Sequence, residues 1–150
     1  MKKIILIATL TIYSQIVFGQ IKVPNVGDGW KPKVEAALEV IKTYDCEKYT
    51  ELLNVCTQIE YWNGTFATTD VNSIIIPTSE LNAGFINDLA AIIVHESLHL
   101  YFQKHNVKLS PRDEERLCYL YELEFLLKIP NVEPWLIEHA KKQIKLYSNE

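Results

Sequence analysis

The spacing of apolar residues changes several times along this chain, and each change predicts an element. In KVEAALEVIKTYD, positions 34, 37, 38 and 41 are apolar, the spacing of one helix face. A second short helix is expected over EKYTELLNV. The period then shortens. TQIEYW alternates, Asn63-Gly64 has the composition of a hairpin turn, TFATTD alternates again, and SIIIP reads as a third short strand ended by Pro77. The expectation is a small antiparallel sheet of about three strands. Helical spacing returns in NDLAAIIVHESLHLYFQK, a long apolar helix. SPRDEERLCYLYELEFLLK opens with Ser110 as N-cap, Pro111 at the first helical position and Asp113 two residues on, and Pro130 ends it. EPWLIEHAKKQIKLY is a last amphipathic helix, with Pro134 near its start. Upstream, IKVPNVGDGWKPK is rich in Gly and Pro and reads as an extended lead-in. The predicted class is α+β, with the small sheet packed on the long helix and further helices around it.

The first 19 residues follow a different pattern. Lys2 and Lys3 precede an apolar run from Ile4 to Phe18, too short to span a bilayer comfortably. Val17 and Gly19 place small residues near a cut before Gln20. This is the pattern of a cleaved secretory leader, residues 1–19, followed by one domain over 20–150. The alternative, a retained membrane anchor, fits the short run and Gln15 less well. The residue directly after the cut is Gln20 and not a cysteine, which argues against a lipoprotein. The formal net charge is −4, and losing two lysines with the leader makes the chain more acidic still. Such a chain has no electrostatic footprint for nucleic acid. Of the three cysteines, Cys46 and Cys56 could pair across a short loop, while Cys118 lies in an apolar helical pattern as a buried thiol.

The chemistry is concentrated in VHESLHLYFQKH, residues 94 to 105. His95 and His99 are four apart, about 40° round a helix, so both can reach one tetrahedral metal. Glu96 stands beside them without ligating. There it can take a proton from an activated water and pass it to a leaving amine. An apolar helix that buries two histidines and a glutamate bears a desolvation cost unless they have partners.

On these residues the sequence resembles the HExxH zinc metallopeptidases, the zincins, over about residues 74 to 128. The resemblance implies a zincin-like fold, a bound Zn²⁺ and a peptide or protein substrate. Zincins divide by their third ligand. Metzincins carry HExxHxxGxxH, and His105 has the spacing of that last histidine. However, Phe102 stands where their glycine turns the chain, and Met1 is the only methionine available for their Met turn. If the helix continues past Phe102, His105 lies about 240° round from His99. Gluzincins take a glutamate from the following helix, often heading an E-x-x-A-like pattern. Glu115-Arg-Leu-Cys118 fits that pattern, with Cys118 as the small residue. Glu122 lies about 20° from Glu115 on the same wheel and is an alternative ligand, as is His105. Glu114 and Glu124 read as surface charge. Thermolysin-type enzymes place the ligand further on, where this chain has Tyr119, so the likeness is to the compact gluzincins, or minigluzincins.

In such peptidases a strand above the active-site helix pairs with an extended substrate. SIIIP fits that role, and equally that of a plain buried strand. Tyr61, Tyr119 and Tyr121 are candidate donors to an oxyanion, or simply core. The expectation is a secreted or periplasmic, monomeric zinc peptidase with no stable membrane association. His95, His99 and Glu115 would hold the metal and Glu96 would act as general base. Three alternatives stand beside it. One is a metzincin-like peptidase using His105. Another is an intracellular HExxH protein that cleaves a repressor, against which the leader speaks. The last is a zinc-stabilised binding module without catalysis, which would have no need of Glu96.

Overall fold

Six helices and a three-stranded sheet are built by the described part of the chain, residues 20–25, 29–83 and 85–148 of a computed structural model. The expected leader lies outside these residues. Helix α1 (Trp30–Tyr44) begins three residues before the point at which the lead-in was expected to end. Gly29 turns the chain there at φ 80°, in the left-handed region that glycine enters without strain. Trp30, Val34, Ala37 and Ile41 then form one buried stripe. In α2 (Cys46–Val55), Asp45 caps the start by accepting a hydrogen bond from the Lys48 amide at 3.2 Å. All three cysteines are free. Cys46 opens α2 and Cys56 caps its far end, so about 15 Å of helix rise separates them. That is well beyond disulfide reach, and the Cys46–Cys56 pairing is not formed.

The sheet is mixed, which corrects the antiparallel expectation. Strands β1 (Gln58–Trp62), β2 (Thr68–Asp70) and β3 (Ser73–Pro77) lie in the order β1-β3-β2. β1 runs parallel to β3, with Ile59 opposite Ile74, and β2 runs antiparallel to β3, with Thr69 opposite Ile74. Asn63-Gly64 therefore does not join a paired hairpin. Gly64 instead lies under the Trp62 indole, where an added Cβ would come within 2.2 Å of the ring. The tight hairpin falls between β2 and β3, where Asn72 supplies the turn at φ 59°. β3 is paired on both sides and buried at four of its five positions.

A short helix α3 (Thr78–Ala83), not expected from the pattern, follows β3 directly. Next comes α4 (Ile86–Lys104), which packs against α1, α2, β2, β3 and the following helix α5 (Pro111–Leu126). Enclosed in this way, α4 buries residues on most of its circumference, as its near-continuous apolar sequence requires. α6 (Pro134–Ser148) covers α5 through Leu136 and Ala140. Val34, Ile41, Ile59, Ile74, Ile93, Val94, Phe125 and Leu126 belong to one apolar core, to which α1, α2, β1, β3, α4, α5 and α6 contribute. The class is α+β, mostly helical.

Candidate metal centre and its cleft

His95 and His99 stand one turn apart on α4, with ring centroids 5.2 Å from each other. Each ring is held by a carboxylate of α5. His95 Nδ1 lies 3.0 Å from Glu122 Oε2, and His99 Nδ1 lies 2.7 Å from Glu114 Oε1. These are hydrogen-bond lengths. In a neutral imidazole they place the proton on Nδ1 and leave the Nε2 lone pair free.

Both Nε2 atoms face Glu115. His95 Nε2 is 3.5 Å from Glu115 Oε2, and His99 Nε2 is 3.5 Å from Glu115 Oε1. Such separations are long for hydrogen bonds. They are close to the edge of a tetrahedron with bonds of about 2.05 Å, which is roughly 3.3 Å. Two imidazole nitrogens thus face one carboxylate, each through a different oxygen, and this donor set suits Zn²⁺. A four-coordinate ion held by these three groups would keep one position for water or substrate. Cys118 also approaches. His95, His99 and Cys118 each offer a ligand atom within 4.8 Å of the other two.

The local folding that builds this arrangement can be traced. α4 does not turn at Phe102 but runs on to Lys104. It is closed by a left-handed residue, Asn106 at φ 51°, with Val107 N–H donating to Phe102 O at 2.9 Å and Asn106 N–H to Gln103 O at 3.2 Å. His105 is the C-cap, exposed, its ring 4.4 Å from that of Tyr101. It takes no part in the cluster. α5 starts on Ser110, whose Oγ accepts from the Asp113 amide at 3.1 Å. Glu114 and Glu115 thus fall in the first turns of a capped helix.

Glu96 is buried, 8% exposed, and lines the cleft beside His95. Burial lifts its pKa above the ordinary value, partly offset by His95 and His99. Burial disfavours the charged form of His95, yet the carboxylates of Glu115, Glu122 and Glu96 outweigh it and lift the ring's pKa to about 9. His95 in turn holds Glu115 below the usual carboxylate range. Without a metal, then, the site carries a proton that a bound cation would displace.

The cleft has a volume of about 550 Å³. His95, Glu96, Glu115 and Glu122 form part of its lining, Thr65, Phe66 and Ala67 another part, and Tyr119, Trp135 and His139 a third. The Tyr119 ring meets His95 edge-on at 4.4 Å between centroids, and His139 lies 6.1 Å from Tyr119. Glu80 and Asp88 also line the cleft. Burial, with Glu80, Glu122 and Glu133 nearby, pushes Asp88 up to about 6.

Set against the expectations, His95, His99, Glu96 and Glu115 come together in one place. Glu122 is buried against His95 Nδ1. Glu114 bonds His99 and is not idle surface charge. Glu124 is exposed and pairs with Lys48 at 3.3 Å. Of the three tyrosines only Tyr119 lines the cleft. Tyr61 packs on Trp30 and Tyr121 bonds Glu51. His139 was missed. It is the fourth and last histidine of the chain, and nothing in its helical spacing marks it. No protein-family model, curated protein or solved structure matches this chain.

Proposed function

We propose that this chain is a secreted or periplasmic zinc-dependent peptidase of the compact gluzincin kind, with a zincin-like fold. His95, His99 and Glu115 would hold the ion and Glu96 would serve as general base. One observation carries the reading: the paired 3.5 Å separations from both Nε2 atoms to the two Glu115 oxygens, beside a buried glutamate that lines a cleft. When bound, the ion would supply a Lewis acid for the scissile carbonyl and acidify water.

The remaining steps belong to the chain's own side chains. Glu96 takes a proton from the attacking water and passes it to the departing amine. Its raised pKa brings its basicity nearer to neutral pH than that of an exposed glutamate. The Tyr119 hydroxyl and a ring N–H of His139 can donate to the oxygen that gains charge. The substrate-pairing role foreseen for SIIIP passes to another strand, because β3 has both edges occupied. β1 and β2 are the edge strands, and residues 65–67, which lead into β2, line the cleft. An extended peptide would add its main chain there. No described helix is long and apolar enough to cross a membrane.

The test uses the chain from residue 20 onward. We expect about one zinc per chain after mild dialysis, by elemental analysis. Glu96→Gln should keep that zinc and lose hydrolysis of a peptide library by roughly 10²–10⁴-fold. A wild-type protein that holds no zinc, or a Glu96→Gln variant as active as wild type, would overturn the proposal.

A further inference from the structure

Cys118 follows Glu115 by one turn of α5 and precedes Glu122 by another, so the three share the helix side that packs on α4. A small apolar residue would satisfy the packing. The cysteine instead brings a sulfur, fully buried, to within 4.8 Å of a ligand nitrogen on each of His95 and His99. Neither Cys118 nor His99 lines the cleft, so the thiol approaches the histidines from within the α4–α5 packing and not from the substrate side. In a tetrahedral zinc site with bonds of about 2.3 Å to sulfur and 2.05 Å to nitrogen, the sulfur and nitrogen are about 3.6 Å apart. A movement on the order of 1 Å, within the range of a side-chain adjustment, brings Cys118 from its present place to that distance.

We propose that Cys118 is a fourth protein ligand, which closes the metal site with His95, His99 and Glu115 in part of the molecules and so lowers, without abolishing, the hydrolytic activity of the protein. The inference rests on the reading that His95 and His99 hold a metal, and it adds regulation to that site. Zinc in such sites takes four ligands, so the cysteine sulfur and the attacking water exclude each other. As the sulfur–metal bond forms, the thiol proton leaves to solvent. When the bond opens, the sulfur takes a proton back and the fourth position is free for water. No electrons are transferred in either direction. The thiolate also biases the site toward thiophilic cations and away from Mg²⁺ and Ca²⁺.

The experiment replaces the metal with Co²⁺ in the chain from residue 20 onward, and reads both metal content and absorption. We expect one Co²⁺ per chain, visible bands of a tetrahedral ion, and a near-ultraviolet thiolate-to-cobalt charge-transfer band. Cys118→Ala should retain the Co²⁺ and the visible bands and lose the charge-transfer band completely. Cys46→Ser should leave it intact. With zinc in place of cobalt, Cys118→Ala should hydrolyse a peptide library faster than wild type. If the Cys118→Ala variant does not fold, X-ray absorption at the zinc edge of the wild type answers the same question, with a sulfur neighbour expected at about 2.3 Å. Bound metal with no charge-transfer band and no sulfur neighbour overturns the role of Cys118 and leaves the histidine site standing. No bound metal at all, by content, overturns both.

Discussion

Three glutamates of α5 meet the two histidines, and they differ in which ring atom they touch. Glu115 faces both Nε2 atoms at 3.5 Å, whereas Glu122 and Glu114 bond Nδ1 at 3.0 and 2.7 Å. Glu115 is thus placed to share a cation, and the other two are placed to hold the rings in the tautomer and orientation that sharing needs. Zinc titration against a competing chelator separates these roles. Glu114→Ala and Glu122→Ala should each weaken binding by roughly 10–100-fold, Glu115→Ala by more, and His105→Ala not measurably. A silent Glu115→Ala beside a damaging His105→Ala would favour the metzincin-like alternative. The meeting of His95, His99 and Glu115 is legible from spacing, since four residues on one helix and a capped helix start on the next bring the groups together. The part of Glu114 is not. A helical wheel shows which residues share a side, but not how the first turn of α5 abuts α4 or which way the His99 ring turns.

The ends of elements set the site as much as their faces do. α4 ends in a left-handed Asn106 with paired carbonyl closures, and α5 begins five residues later on Pro111, behind the Ser110 cap. That short reversal lays Glu114 and Glu115 against His95 and His99. The Ser110 hydroxyl accepts from the Asp113 amide at 3.1 Å and donates to the Asp113 carboxylate at 2.7 Å. Ser110→Ala should therefore cost about 1 kcal/mol of stability in urea unfolding and loosen the turn that carries Glu115. An unchanged unfolding midpoint would show that α5 is held by its packing on α4 and α6 instead. The five longer helices and the Ser110 cap were readable as periodicity and punctuation, while the short α3 was not. Strand order was not. Alternation identifies strands but says nothing of which edge pairs with which. The Asn63-Gly64 signal was real as a bend, yet Trp62 packs on Gly64, and β3 comes between β1 and β2. The true hairpin turn, Val71-Asn72, lacks the glycine that would have marked it.

At the scale of the whole molecule, a metal would join two elements that the apolar core already brings together. His95 and His99 belong to α4 and Glu115 to α5, while Ile93, Val94, Phe125 and Leu126 bury these same helices in the shared core without any polar help. Zinc should then add to the stability of a fold that exists without it, and is not required to create the fold. A ligand that binds only the native state stabilises it by about 2.7 kcal/mol at a free concentration 100 times its Kd. For a chain of this size that corresponds to a rise in Tm on the order of 10 °C. Thermal unfolding with chelator and with excess zinc measures the difference directly. His95→Ala should remove the rise, because it deletes one of the two histidine donors and leaves Glu122 without its partner. Glu96→Gln should preserve it, because that carboxylate handles protons and leaves the ion to the others. His105→Ala, at the exposed end of α4, should also preserve it. A rise that survives replacement of both His95 and His99 would mean that the ion binds elsewhere, and the histidine pair would then be a structural ion network between α4 and α5.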